Sequence, residues 1–352
     1  MRLLFVGTHI SQINGYSKIM YSILKELSAK HECFLYGIQK SDVNNRKLKN
    51  VKIFDALKNE SVPEKGFNFS GLQDYIDTVK PDRVIIYNDM LVVSEYMKRI
   101  SHPDIWVYID FVYQGMNMEL LKIVEEKTAK FVCFSEKWKE YLSKYTSKPV
   151  GVLEHGVSDF VKKVDVVEEK AFLCINRNSE RKRLDLVIQG FVRLLVKDPS
   201  AKLVMITDLK GFYNVENVFL QECSFLKVEP KGFLPIMSNL SDEEINVWYN
   251  RCKYGINCSD GEGYGIQALE HSFLGKVQVV TDVGTYRSFL SDENVFVPVP
   301  LYSYLQQSFS LGLIKQTATP EMVCEGMLSA LSKDSCKALG KKWSEIEIPF
   351  GS

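Results

Sequence analysis

Residues 254–282, YGINCSDGEGYGIQALEHSFLGKVQVVTD, contain the succession of strand, glycine loop, helix and strand that decides the fold. Residues 254–258 are a short apolar run, and the three glycines that follow within five residues favour turns and close backbone approach. From Ile266 the apolar residues recur at helical spacing, and residues 277–280 form a second apolar run. The glycine loop therefore lies beyond the carboxyl end of a strand and opens a helix. Open α/β sheets bind ligands at this position, and its backbone N–H groups suit a phosphate.

Two carboxylates, Glu262 in the loop and Glu270 in the helix, are separated by seven residues. Eight helical steps span roughly 12 Å, about the distance from the sugar to the ribose of a nucleotide sugar. Carboxylates are good acceptors for pairs of sugar hydroxyls. The same spacing also occurs by chance on solvated helices, so the pair alone leaves both interpretations open.

Length and composition indicate a soluble protein of two domains. The chain has 352 residues, of which 45% are hydrophobic and 25% charged, as is ordinary for globular proteins. A formal net charge of zero creates no overall field that would attract nucleic acid or an anionic membrane. No apolar run is long enough to span a membrane, and the apolar start of the chain is too short for a signal peptide. We therefore expect a cytoplasmic protein without a nucleic-acid partner, with a position at the periphery of a membrane left open.

Cysteine and histidine spacing argues against a zinc site. The eight cysteines are scattered and form no C-x-x-C pair, and the five histidines show no metal-ligand spacing. We predict reduced, intracellular thiols.

The first half of the chain alternates strands with helices. Its strand candidates are residues 3–7, 34–36, 51–54, 83–87, 105–109, 131–134 and 150–153. A polar loop ending in Asn14-Gly15 follows the first strand and leads into an amphipathic helix. This unit lacks G-x-G-x-x-G, and no acidic residue ends the next strand, which argues against a dinucleotide-dependent dehydrogenase. The alternation predicts a parallel, doubly wound sheet.

A charged segment, residues 158–170, interrupts this rhythm and is the predicted linker. A second series of strands follows, at residues 172–176, 203–207, 225–228, 254–258, 277–280 and 295–297, with helices at about 183–197, 242–251, 264–275 and 319–332. We therefore predict two α/β domains that face a cleft, residues 1–157 and 158–332. A polar helix candidate begins at residue 333, and we expect the terminal segment, about 333–352, to pack back on the first domain.

A second signature opens the second domain. Residues 172–188, FLCINRNSERKRLDLVI, run from a strand into a loop that carries Arg177 and, five residues later, Lys182. Two cations at the carboxyl end of a strand can grip a diphosphate and stabilise the charge on a leaving nucleoside diphosphate. Because Arg181 and Arg183 lie in the same loop, a solvated basic loop is the alternative.

Together these stretches resemble family 4 of the glycosyltransferases, which are retaining enzymes of the GT-B fold, with two Rossmann-like domains facing a cleft. The second domain of that family opens with Gly-Arg, a lysine five positions on, a glycine, and then x-Asp-x-x-Ile. The residues of this chain in that register are Arg177, Lys182, Asp185 and Ile188, with Asn176 and Arg183 in place of the two glycines. The family's later signature is Pro-Ser-x-x-Glu-Gly-Phe-Gly followed by a second glutamate. This chain has CSDGEGYG at residues 258–265 and then Glu270.

The resemblance covers most of the chain and is strongest over residues 171–285. The end of the linker, Asn-Gly-Val-Asp in the family, is His155-Gly156-Val157-Ser158 here, and Gly15 resembles the family's first glycine loop with one glycine missing. Within the family, the chain most resembles glycosyltransferases encoded by large algal viruses.

The resemblance implies a role for each matched residue. Arg177 and Lys182 would hold the donor diphosphate, and Glu262 would bind hydroxyls of the donor sugar. Ribose would bind Glu270, the base would contact the turn at Gly232-Phe233, and Gly15 would let the backbone approach the diphosphate. The remaining donor-binding positions, several of them acting through backbone amides, are Ser259, Gly263, Tyr264, Gly265 and Ile266.

One departure from the family concerns the reacting carbon. The family often carries a histidine after the fifth strand of the first domain, whereas this chain reads Tyr108-Ile109-Asp110-Phe111. Asp110 is the nearest polar candidate for a catalytic role, and a buried, hydrogen-bonded structural aspartate is the alternative. Asp260-x-Glu262 superficially resembles a metal-binding pair, but GT-B enzymes generally rely on protein cations, so we predict no required metal or other cofactor.

These implications predict a retaining hexosyltransferase of glycan biosynthesis that uses a nucleoside-diphosphate sugar. GDP-mannose is a common donor in the family, and the acceptor would be a glycan, a lipid-linked sugar or a protein side chain. A sugar-nucleotide epimerase is one alternative, but it needs an acid/base pair around the donor sugar. A non-catalytic sugar-nucleotide-binding protein is another, suggested by the missing histidine. Because the implied site residues are divided between the domains, we expect the domains to close on the donor.

Overall fold

The first domain is built on a seven-stranded parallel sheet. The computed structural model of the protein describes residues 1–41, 46–109, 111–305 and 313–351. The strands are β1 (Arg2–Thr8), β2 (Glu32–Ile38), β3 (Val51–Asp55), β4 (Arg83–Tyr87), β5 (Ile105–Ile109), β6 (Lys130–Cys133) and β7 (Val150–Val152). Their order in the sheet is β3-β2-β1-β4-β5-β6-β7. The winding reverses between β1 and β4, and in doubly wound sheets a crevice opens at the carboxyl ends of such a pair.

Helices cover this sheet and bury its central strands. They are α1 (Gly15–Leu27), α2 (Leu72–Val79), α3 (Met90–Met97), α4 (Met118–Lys127) and α5 (Glu136–Leu142). All five residues of β4 are buried, and residues 3–6 of β1 are at most 1% exposed. Continuous apolar runs without alternation are typical of parallel strands covered on both faces, which is why they were recognisable in the sequence.

The second domain repeats this architecture with a six-stranded parallel sheet. Its strands are β8 (Glu169–Ile175), β9 (Lys202–Thr207), β10 (Phe233–Met237), β11 (Cys252–Asn257), β12 (Val277–Thr281) and β13 (Val295–Val297), in the order β10-β9-β8-β11-β12-β13. The helices are α6 (Leu184–Lys197), α7 (Val215–Leu226), α8 (Asp242–Arg251), α9 (Ile266–Phe273), α10 (Tyr286–Phe289) and α11 (Pro320–Leu331). An antiparallel hairpin of β14 (Leu301–Tyr304) and β15 (Ile314–Thr317) lies outside the sheet. The predicted fold class, two doubly wound parallel-sheet domains, is confirmed.

The carboxyl-terminal edges of the two sheets meet. A side chain at Gly261, in the loop after β11, would collide with the Val112 carbonyl and the Tyr113 ring, which follow β5. One hydrophobic cluster also contains buried residues of both domains, among them Tyr87 and Tyr264. The loops that carry the candidate site residues of the two domains are therefore in contact. The predicted boundary between residues 157 and 158 stays a prediction.

The strand predicted at residues 225–228 is wrong. Residues 215–226 form α7, whose buried positions Val215, Phe219 and Cys223 recur every four residues. Lys227 ends this helix in the left-handed conformation, at φ +55°. The apolar run that suggested a strand is therefore the end of an amphipathic helix, and the strand itself begins eight residues later, at Phe233.

The C-terminal segment contacts the first domain, but not as the predicted helix. Between residues 333 and 351 the chain has only short 3₁₀ turns, Trp343–Glu345 and Pro349–Gly351, and a parallel bridge joins Lys342 to Val157. The Phe350 ring meets the Phe5 ring edge-on at 5.7 Å, and the Phe350 carbonyl accepts a 2.8 Å hydrogen bond from Arg83 Nη1. A few buried aromatic anchors hold this segment, because its polar sequence offers no continuous apolar helix face. Nowhere in the described ranges is a helix both long and apolar enough to cross a membrane.

Candidate active site

A cavity of about 820 Å³ lies between the domains, at the carboxyl ends of both sheets. The loop between β8 and α6 lines it from the second domain and includes Arg177 and Lys182. Residues that follow β4 and β5, such as Met90 and Phe111, line it from the first domain. Doubly wound sheets bind their ligands at this place, and the volume lies within the range of small-molecule sites.

The two predicted diphosphate cations differ in their surroundings. Arg177 is exposed to the cavity and has no ion pair or hydrogen bond with the described part of the chain. Lys182 is only 7% exposed and ends a 3₁₀ turn, Glu180–Lys182, just before α6. Bonds from the Asn178 amide to the carbonyls of Asp208 (2.6 Å) and Tyr213 (2.7 Å) fix the loop between them. The fixed loop thus carries one exposed cation, Arg177, and one buried cation, Lys182.

Lys182 and Glu262, implied by separate signatures, form an ion pair. The Lys182 ammonium donates to Glu262 Oε2, and Ser259 Oγ lies 3.3 Å from the same oxygen. Burial alone would raise the pKa of the Glu262 carboxyl, but the Lys182 ammonium and the Arg181 guanidinium lower it to about 2. Arg181 Nη1 lies 3.7 Å from Glu262 Oε1. Glu262 is therefore ionised at neutral pH and holds Lys182 at the cavity wall.

The glycine loop is shaped by close approaches that a side chain would block. Gly265 has φ +91°, the left-handed region that favours glycine, and a Cβ there would lie 2.3 Å from the Tyr286 ring. The Gly263 carbonyl accepts bonds from Thr285 Oγ1 at 3.2 Å and Trp138 Nε1 at 3.4 Å. The loop is therefore held on both sides, with its chain entering the amino terminus of α9 at Ile266. This backbone geometry suits an anion.

Gly15 of the first domain lies against that terminus. A Cβ added to Gly15 would lie 2.9 Å from Ile266 Cδ1. Asn14 caps α1 reciprocally with Ser17, the Asn14 side chain accepting from the Ser17 amide at 2.8 Å. The structure thus brings together two predicted donor-binding positions that lie in different domains and far apart in the sequence.

Glu270 is fully buried at the contact between the domains. Its Oε2 accepts 3.0 Å and 2.9 Å bonds from Lys18 Nζ of α1 and from the Tyr249 hydroxyl. Its other oxygen has no hydrogen-bond partner in the described ranges. Beside it, Arg46 holds Asp242 with two bonds of 2.8 and 2.9 Å. The helix places Glu270 beyond the glycine loop as predicted, but sequence reasoning missed its partner in the first domain.

Gly232 and Phe233 lie at the wrong edge of the sheet for base contact. Gly232 directly precedes β10 and Phe233 begins it, and both line a different cavity, of about 240 Å³, together with residues that begin β8 and β11. Because ligands of doubly wound sheets bind at the carboxyl ends of strands, we correct this assignment. The carboxyl end of β10 is followed instead by residues 238–241. Asp110 lies outside the described residues.

Sequence reasoning also missed an ionic network at Arg183. The resembled family has glycine at the position of Arg183. The backbone there adopts φ +47°, in the left-handed region that favours glycine. Its guanidinium bonds Asp260 Oδ1 at 3.1 Å and Thr317 Oγ1 at 2.8 Å, and makes two 3.0 Å bonds to Asp185. The arginine thus joins the glycine loop to the β14–β15 hairpin. Its presence in a glycine position was the signal in the sequence.

Asp260 therefore has a cationic partner from the protein. Burial raises the pKa of its carboxyl, although Arg183 opposes the shift. Throughout residues 1–41, 46–109, 111–305 and 313–351, no three side chains of the metal-ligating types are grouped to hold an ion. That no metal is required stays a prediction.

Comparison with known proteins agrees with this geometry. Residues 158–309 match the family model described as Glycosyl transferases group 1. A GDP-Man:Man(3)GlcNAc(2)-PP-Dol alpha-1,2-mannosyltransferase of Neurospora crassa is 23% identical over 156 residues, which cover 43% of this chain and 28% of that protein. An alpha-monoglucosyldiacylglycerol synthase of Streptococcus pneumoniae is 20% identical, with 98% of this chain and 85% of that protein covered.

Solved structures extend the likeness to both domains. WaaG, a glycosyltransferase involved in lipopolysaccharide biosynthesis, superposes with a TM-score of 0.66 at 14% identity, covering 94% of this chain and 90% of that one. At this identity the likeness shows the fold. The chain therefore has the two-domain fold of the GT-B glycosyltransferases, and the likeness to glycosyl transferases group 1 lies in its second domain, at residues 158–309.

Proposed function

We propose that the protein is a retaining glycosyltransferase of family 4 that transfers a sugar from a nucleoside diphosphate to an acceptor hydroxyl. The observation that carries this proposal is the Lys182–Glu262 pair, whose lysine lines the interdomain cavity together with the open Arg177. It joins the two signatures of the group 1 domain in space. Likeness to algal-virus enzymes stays a prediction.

In this proposal the donor diphosphate binds Arg177 and Lys182. Charge develops on the leaving diphosphate as the glycosidic bond breaks, and fixed cations stabilise that charge in the transition state. The backbone at residues 263–266 would contribute amides to the same group, and Gly15 leaves room for it. Lys182 must then share its ammonium between the phosphate and Glu262.

The two glutamates would orient the rest of the donor. Glu262 is ionised. When Lys182 turns toward the phosphate, the Glu262 carboxylate becomes available to hydroxyls of the sugar. One buried oxygen of Glu270 accepts no hydrogen bond from the described residues, and a ribose hydroxyl would donate one to it. No acid/base role is assigned to Asp110.

For the donor we propose GDP-mannose, with no metal required. The Neurospora relative is named for GDP-Man, but only 28% of its length is covered, so the name supports the donor and does not establish it. The cytoplasm is the proposed location. Neither alternative is favoured: an epimerase needs an acid/base pair around the sugar, and a non-catalytic binding protein rests only on the missing histidine.

Titration calorimetry against a panel of UDP, GDP and ADP sugars, followed by a donor-hydrolysis assay, tests the function. We expect one nucleotide sugar to bind and slow release of its nucleoside diphosphate in the absence of acceptor. If a UDP sugar binds and GDP-mannose does not, the donor assignment is wrong. Binding without any turnover would favour the non-catalytic alternative, and an epimerised nucleotide sugar as the sole product would refute the transferase. A retained anomeric configuration in the product, read by NMR, tests the stereochemistry.

A further inference from the structure

We infer that the acceptor is an amphiphile, with a hydroxylated head and an alkyl chain, and that the chain lies along the first-domain wall of the cavity. This inference rests on the proposed function and narrows its acceptor to one chemical class. It depends on the composition of the apolar first-domain wall, on how the polar side chains of that wall are used, and on the contrast with the charged second-domain wall.

The first-domain wall of the cavity is apolar where the second-domain wall is charged. Its apolar side chains come from the start of α3 and from the segment between β5 and α4, and they are Met90, Leu91, Phe111, Met116 and Leu120. Leu91 is 38% exposed, although apolar residues are normally covered. An apolar concave surface of this kind beside a reaction centre marks a ligand site.

Two polar side chains on this wall, Asp89 and Asn117, are used by the fold. Asp89 caps α3 by accepting the Val92 amide at 3.0 Å, and Asn117 caps α4 by accepting the Leu120 amide at 3.1 Å. A free oligosaccharide would bring many hydroxyls to this wall, and each hydroxyl buried without a partner costs free energy. An alkyl chain needs no partner and gains from leaving water.

Two leucines beside the β14–β15 hairpin add to the apolar lining of the cavity. Leu305 and Leu313 line the cavity, and the Ile314 amide bonds the Gln114 carbonyl of the first domain at 2.8 Å. Because side chains alternate along a strand, these leucines lie on the face of the hairpin that also carries Lys315, another residue of the lining. The hairpin therefore contributes both apolar and charged groups to the cavity and is held against the first domain.

Charged groups line the cavity from the second domain. Arg177, Lys182 and Asp260 are among them. A ligand that fits both walls has a hydroxylated or charged head next to the diphosphate site and an apolar tail along the first-domain wall. The geometry thus distinguishes an amphiphilic acceptor from a free glycan.

Alkyl β-D-glucosides of increasing chain length, from methyl to octyl and kept below their micellar concentrations, test this inference by calorimetry on the full chain saturated with nucleoside diphosphate. Each methylene buried on the wall should strengthen binding by about two- to fourfold, since full burial of one methylene corresponds to about fourfold. Leu120→Ser should flatten this dependence. Met118→Ser is the matched control, because Met118 lies on the same helix, is 52% exposed and does not line the cavity.

Affinity that is independent of chain length would overturn the inference, as would an equal dependence in the Leu120→Ser and Met118→Ser variants. If Leu120→Ser fails to fold, Leu91→Ser replaces it, because the exposed Leu91 adds little to the core. The nucleoside diphosphate separates the two proposals. If it binds and the chain-length dependence is absent, only the acceptor class is wrong. If no nucleoside diphosphate binds, the proposed function itself fails.

Discussion

Replacing Lys182 by methionine should destabilise the protein through the carboxylate that it leaves behind. Glu262 is 7% exposed, and its pKa is lowered from 4.5 to about 2, chiefly by the Lys182 ammonium acting against burial. Burial lowers the pKa of the Lys182 ammonium as well, so both charges of the pair depend on each other. Removing one partner of a buried ion pair leaves the other charge uncompensated and typically costs about 3–5 kcal/mol. Because Arg181 stays 3.7 Å from the other oxygen, part of that interaction survives. We expect Lys182→Met to lower the free energy of unfolding by about 2–3 kcal/mol at neutral pH.

The pH dependence of this loss has a definite sign. In the wild-type chain the folded pKa of Glu262 is depressed, so its contribution is complete above about pH 4.5 and disappears as the pH falls through about 2. In Lys182→Met the nearest cation is gone and burial raises the folded pKa. The carboxylate then disfavours folding until it is protonated, so the deficit of the variant should shrink between about pH 7.5 and pH 5.

Urea unfolding of the wild type, Lys182→Met, Glu262→Gln and the double variant at both pH values measures these quantities. The double variant should recover most of the loss, because neither charge is then buried alone. A deficit under about 1 kcal/mol at neutral pH, or one that does not change with pH, would refute the reasoning. Strict additivity of the two single variants would show that the pair is not coupled.

Four further predictions test the site. Arg177→Ala should lower turnover about 10²- to 10³-fold with little loss of stability, since Arg177 bonds nothing in the described part of the chain; steady-state kinetics beside a melting curve checks both. Glu270→Ala should weaken donor binding by about 1–3 kcal/mol in calorimetry, and unchanged affinity would remove the ribose role. Arg183→Gly should add about 1 kcal/mol to the free energy of unfolding by relieving the left-handed backbone, but it should lose more because Asp260, whose side chain is 1% exposed, is left without its cation. A net increase in stability, measured by urea unfolding, would contradict this. Small-angle scattering of an active preparation should show a smaller radius of gyration with saturating donor, and an unchanged radius would count against closure.

Most strands could be read from the sequence, because buried parallel strands are continuous apolar runs. The predicted bounds of β4, β5 and β13 are those observed. The strand predicted at residues 225–228 failed for a related reason, since the end of an amphipathic helix can also be apolar over four residues. That error moved the base-contacting turn to Gly232, at the amino edge of the sheet, because the loop expected after a strand became the loop before one.

The candidate site was predictable where its residues are close in sequence and not where the two domains meet. The Lys182 loop and the Glu262 loop each follow a strand of one sheet, and β8 and β11 are neighbours in that sheet, so their meeting follows from topology. Lys18 is 252 positions from Glu270, and no local pattern indicates that contact. The hairpin was also missed, because its four-residue strands lie outside both sheets.

Glu262 and Glu270, the two glutamates of the glycine-loop signature, differ in whether their ion pairs must break when the domains move apart. Glu262 is paired with Lys182 of its own domain, so a donor can exchange that pair without moving the domains. Glu270 is paired with Lys18 of the first domain, and separation of the domains must break that bond inside a buried site. Breaking it leaves a carboxylate with 0% exposure and one oxygen already unpartnered, which is costly unless a ligand or water replaces the lysine. A ribose hydroxyl that binds the unpartnered oxygen leaves the Lys18 bond to the other oxygen intact. On this argument a donor engaged at Glu270 favours the closed arrangement of the domains, in which Gly15 lies against Ile266.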